Sequence, residues 1–70
     1  MTYREVTRKL KILGRQELGR RGTGSHRKWF NPHTRRVSTL PDWGGKDLKI
    51  GTLRAAIKQL GIEWSDFEHA

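Results

Sequence analysis

His26 stands in the stretch Gly22-Thr23-Gly24-Ser25-His26-Arg27-Lys28-Trp29-Phe30-Asn31-Pro32, after two glycines and before two cations, two aromatic rings and a turn. An imidazole so placed suits one chemistry in particular. Breaking an RNA strand without a metal requires a 2′-hydroxyl to lose its proton, the phosphorane charge to be stabilised and the departing 5′-oxygen to be protonated. Histidine serves both proton transfers because both of its forms are accessible near neutral pH. Arg20, Arg27 and Lys28 are placed to stabilise phosphate charge, and backbone N–H groups of the GTGS turn add to them. Glycines there let a polynucleotide backbone approach closely. Neighbouring cations favour the neutral, basic ring.

Each of these residues has a plainer reading beside it. A lone histidine in a basic strand is commonly an exposed or hydrogen-bonded residue without a chemical task. His33 in a turn and His69 in the tail read as bystanders. Ser25 reads as a hydrogen-bonding strand start, since no triad partner is identifiable. Trp29 reads as core, and Phe30 as either core or a platform for a base. Lys46 and Lys49 precede Gly51-Thr52, where a helix should begin, so cations and free N–H groups converge on a place where phosphate can dock. The competing reading there is a solvated glycine loop that turns the chain.

Other chemistries find little support. The carboxylates Glu5, Glu17, Asp42, Asp47, Glu63, Asp66 and Glu68 are scattered, whereas a hard cation needs them gathered. Walker A loop, GxSxG elbow, HExxH pair and dinucleotide fingerprint are all missing, so no ATP, NAD or zinc site is expected. The chain has no cysteine, which removes disulfides, thiolate metal sites and a cysteine nucleophile.

Charge points the same way as the histidine. Fifteen Lys and Arg against seven Asp and Glu give a formal net charge of +8. Such an excess favours polyanions: nucleic acid first, an acidic protein second, an anionic membrane third. The cations cluster, with Arg20, Arg21, Arg27 and Lys28 around the histidine and Arg35 and Arg36 a hairpin's reach away. Neither candidate helix is basic on one face and aromatic on the other, which argues against a membrane surface. No apolar run has the length of a membrane span and no signal peptide follows Met1, so a soluble cytoplasmic protein is expected.

The elements that must hold His26 follow from periodicity. Tyr3, Val6, Leu10 and Leu13 recur at helical spacing, Thr2 and Glu5 have the spacing of a capping box, and Gly14 is a natural stop. Ile12 falls off that stripe and suggests a lesser second contact. Between Arg15 and Leu40 short runs alternate with turn residues, which predicts three antiparallel strands, the last two joined by Asn31-Pro32-His33-Thr34. PDWGGKDLKIG reads as a loop. A second helix over about Thr52 to Leu60 carries the stripe Leu53, Ala56, Ile57, Leu60, with Gly61 ending it, and Ser65 with Glu68 has the spacing to cap a last turn. Residues 1–70 are therefore expected to form a single domain with a small core. Its fold class is α+β, an antiparallel three-stranded sheet covered on one face by two helices in the order α-β-β-β-α. Alternation along the second strand then sends Trp29 into the core and leaves His26, Lys28 and Phe30 on the open face.

With those residues in view, the chain resembles the HicA family of bacterial toxins. The likeness rests on Gly24-Ser25-His26, on the hairpin with Asn-Pro at its turn, and on PDWGGKDLKIGTLRAAIKQLG from Pro41 to Gly61. It covers nearly the whole chain in the right order. The resemblance implies a double-stranded-RNA-binding-domain-like fold and an mRNA interferase, a ribonuclease that cleaves mRNA until a HicB antitoxin sequesters it. It implies a toxin that is monomeric when free and hetero-oligomeric with its antitoxin. The family's essential histidine falls on His26, with Gly24 and Ser25 leading into it. Lys28 and the cations before and after the hairpin match in charge alone. Two departures stand out: Arg15 follows Gly14 where an aromatic residue is usual, and Trp43 stands where a histidine is frequent. The second leaves Lys28, an arginine or water as the other proton carrier. Two rivals to a metal-independent endoribonuclease remain: a non-catalytic module binding double-stranded RNA, and a protein whose basic face mainly receives an acidic partner.

Overall fold

A computed structural model describes residues 1–19 and 25–70. Its elements run α1 (Tyr3–Ile12), β1 (Gln16–Glu17), β2 (His26–Asn31), β3 (Arg36–Pro41), α2 (Ile50–Gln59) and α3 (Trp64–Glu68). The fold is the expected α-β-β-β-α arrangement, a double-stranded-RNA-binding-domain-like α+β fold, with a short third helix closing it. The sheet is antiparallel in the order β1-β2-β3.

α1 starts where its cap chemistry dictates. The Thr2 hydroxyl accepts from the Glu5 backbone N–H while the Glu5 carboxylate accepts from the Thr2 N–H, so two otherwise orphaned donors are satisfied. Those bonds to Thr2 hold the Glu5 carboxyl below its ordinary value. Gly14 ends the helix with a φ of 78°, which costs a residue without Cβ little. Ile12 is 60% exposed and makes no second core contact, a difference from the sequence expectation.

α2 begins at Ile50, two residues earlier than the Gly51-Thr52 entry suggested. Lys49 occupies the cap position without a side-chain bond. Leu48, buried just before it, together with Leu53, Ala56 and Ile57, holds this end by packing where capping is missing. α1 contributes Tyr3, Val6 and Leu10 to the same core, and Trp29, Leu40, Leu60 and Phe67 complete it with no exposed surface. Each fully buried side chain of this kind contributes about 1.5–3 kcal/mol relative to exposure.

The hairpin turn and the end of α2 are interlocked. The Leu60 carbonyl accepts from Asn31 Nδ2 at 2.6 Å and from Thr34 Oγ1 at 3.0 Å. Asn31 also accepts from the His33 N–H at 3.0 Å, so a fully buried amide is paired on both sides. Ser38 Oγ donates to Gln59 Oε1 at 2.9 Å, one residue before Leu60. α2 thus runs along β3 with its C-terminus at the turn. Its N-terminus lies toward the opposite end of the sheet, where β2 begins with His26.

Candidate active site

β2 pairs with β3 in the register His26 to Pro41, Arg27 to Leu40, Lys28 to Thr39, Trp29 to Ser38, Phe30 to Val37 and Asn31 to Arg36. The strand is regular, so its faces separate by parity. Trp29 and Asn31 lie wholly buried on the helix side. His26 and Lys28 are exposed on the other side, and Phe30 there is half-buried between Gln16 and Val37, its neighbours on β1 and β3. Pro41, opposite His26, is buried.

Arg27 belongs to the opposite face from His26. Its Nη2 lies 3.3 Å from Asp42 Oδ2 in a largely buried ion pair. Its guanidinium is therefore committed to holding the loop after β3. Asp42 does more at this point. Its backbone N–H donates to the Ser25 carbonyl at 2.7 Å, extending the strand pairing one step past His26. Its Oδ1 accepts from the Gly44 N–H at 3.1 Å and fixes a turn in which Gly44 has a φ of 63°. In the sequence Asp42 is one of the scattered carboxylates, and Asp two residues before Gly is the Asx-turn signal that sets it apart.

The remaining cations divide by position. Lys46 and Lys49 are exposed on the segment that runs from the His26 end of the sheet to the start of α2. The antiparallel bridge between Thr2 and Asp47 brings the start of α1 to this end as well, and exposed Arg4 with it. Arg35 and Arg36 are exposed at the far end of the hairpin, five strand positions from His26, about 17 Å at the usual rise. They are not brought to the histidine. Arg20, Arg21 and Gly24 lie outside the described residues. Among the described residues no three of His, Asp and Glu gather as a metal ion would need, and no helix is long and apolar enough to cross a membrane.

Behind the strand a relay from buried Trp29 to exposed Glu17 ties β1, β2 and α1 together. Trp29 Nε1 donates to the Tyr3 hydroxyl at 3.0 Å, and that hydroxyl donates to the Glu17 carboxylate. Burial, together with the bond to Glu17, pushes the Tyr3 phenol up to about 12. β1 is only two residues long, and this contact with α1 secures it beyond its pairing with Trp29 and Phe30.

The family model described as HicA toxin of bacterial toxin-antitoxin matches residues 3–62. The chain belongs to the HicA toxin family. The matched stretch takes in α1, all three strands and α2, hence the whole frame that carries His26. A HicA toxin is one half of a toxin–antitoxin pair, so membership implies an antitoxin partner. No match to the chain was found among curated proteins or among solved structures.

Proposed function

We propose that the chain is a metal-independent endoribonuclease that cleaves mRNA with His26 as its proton-transfer group. The observation that carries this reading is the exposure of His26 on the open sheet face, two residues from exposed Lys28, within a chain of net charge +8. His26 takes the proton from a ribose 2′-hydroxyl as the freed oxygen attacks the adjacent phosphorus. The bond from phosphorus to the 5′-oxygen breaks, and that oxygen leaves with a proton from the second carrier, Lys28 or water. The products are a 2′,3′-cyclic phosphate and a 5′-hydroxyl. Lys28 faces the same side and neutralises charge on the phosphorane, while Lys46 and Lys49 draw the strand to this end. Arg20, Arg21, Ser25 and Gly24, beside or before the histidine in sequence, belong to the same footprint. Arg35 and Arg36 extend it along the hairpin. Arg27 acts through Asp42, as an anchor.

A HicB-like antitoxin neutralises the toxin in a hetero-oligomer in the cytoplasm, and the free toxin is a monomer. The decisive test compares wild type with His26→Ala in an EDTA-treated RNA cleavage assay. Wild type is expected to cut, and the variant to bind RNA without cutting it. Undiminished cleavage by the variant rejects the role of His26. Salt-sensitive binding without any products from wild type leaves only a double-stranded-RNA-binding module.

A further inference from the structure

Trp43 has a placement that the core does not require. It is 39% exposed, while Trp29 is wholly buried. Scattered exposed apolar residues are ordinary, but the backbone around this one is held on both sides. Asp42 is bonded to Ser25 and ion-paired to Arg27, the Gly44 N–H is fixed by the Asp42 carboxylate, and the Trp43 carbonyl accepts from the Lys46 N–H at 3.2 Å. A large ring is thus carried on an anchored turn and left open to solvent. Among the described residues, Trp43 and Lys46 line one shallow hollow whose surface is mostly apolar. Counting chain and strand spacings, the Trp43 backbone lies on the order of 10 Å from His26.

We propose that Trp43 is the stacking platform for an unpaired base of the RNA, next to the phosphodiester that His26 works on. This rests on the ribonuclease reading above and adds a positioning residue to it. Every nucleobase offers a flat π-face, and an indole carried on an anchored backbone can receive it. Lys46 beside the ring takes the phosphate that follows. A base held in a duplex is already stacked and cannot reach the hollow, so the site selects single-stranded RNA over helical RNA.

The test uses the intact chain and short single-stranded RNAs that differ at the bases flanking the cut. Trp43→Ala is expected to raise KM about tenfold, within the range for loss of one stacked base. The kcat should stay nearly unchanged, the preference among flanking bases should flatten, and the melting temperature should match wild type. Trp43→Phe should recover most of the KM. Binding is read separately in His26→Ala protein, where an uncut strand should quench tryptophan fluorescence and the added Trp43→Ala change should remove that quenching. If wild type cuts RNA and Trp43→Ala cuts it with the same KM and base preference, the platform is wrong and the ribonuclease stands. If wild type cuts nothing while the Trp43-dependent quenching persists, the catalytic reading fails and the platform stands. A Trp43→Ala variant that handles RNA normally but escapes its antitoxin assigns the ring to the protein partner and overturns the proposal.

Discussion

On β2, Trp29 and Asn31 have no solvent-exposed surface, whereas His26 and Lys28, which precede them, are open to water. Both sets come from one six-residue strand, and only the direction of each Cβ separates them. The inward set is bonded at every polar atom the core meets: Trp29 to Tyr3, and Asn31 to Leu60 and His33. Among the described residues no bond to the His26 ring is found. Rigidity is concentrated on one side of the strand, and the proposed proton transfer is assigned to the other. A proton-transfer group held this way can be exposed without being loose, because the backbone beneath it is fixed by its neighbours.

Four changes break or sharpen that contrast. Trp29→Ala should have the largest effect, about 3–5 kcal/mol of lost stability, because it empties the core and removes the donor to Tyr3. For a domain of this size that approaches the whole stability, so circular dichroism should show an unfolded or barely folded chain. His26→Ala should do the reverse: at least a hundredfold loss of cleavage, the scale of general acid–base catalysis, with a melting curve that overlays wild type. If instead it unfolds the protein, the two faces of β2 are not independent. Asn31→Ala should cost about 1–3 kcal/mol by leaving the buried Leu60 carbonyl and the His33 N–H without this partner, read as a lower urea midpoint. The mildest probe is alkaline titration. Tyr3 is the only tyrosine, so tyrosinate absorbance reports it alone. Its folded pKa of about 12 lies above the ordinary 10, so its contribution is complete below pH 10 and is lost as the pH rises to 12. Ionisation at 10 in the folded protein would mean that neither burial nor the bond to Glu17 acts on the phenol.

Much of this contrast was legible in the residues themselves. The parity of β2 follows from the alternation of His26, Arg27, Lys28 and Trp29. The limits of α1 follow from the Thr2–Glu5 box and Gly14. The turn follows from Asn31-Pro32, and the end of α2 from Gly61. What stayed hidden depended on contacts distant in sequence. Arg27 reads as one more phosphate-binding cation until its register with Leu40 shows that it faces Asp42. Ile12 reads as a second contact, but it is 60% exposed. The start of α2 is not legible in the sequence because Lys49 carries no cap signal and the buried Leu48 holds that end. Lys46, Lys49, Arg35 and Arg36 look alike as charges in the sequence. Only the course of α2 along β3 divides them between the two ends of the sheet.

Gly61 has a φ of 73°, and a Cβ there would lie 2.8 Å from Thr34 Cγ2. The same helix end offers the one carbonyl that both Asn31 and Thr34 reach. Three positions spread across half the chain are therefore fitted to a single spot and cannot drift one at a time. In related toxins, positions 31, 34 and 61 should be inherited as a set, and where one is exchanged the others should carry compensating replacements.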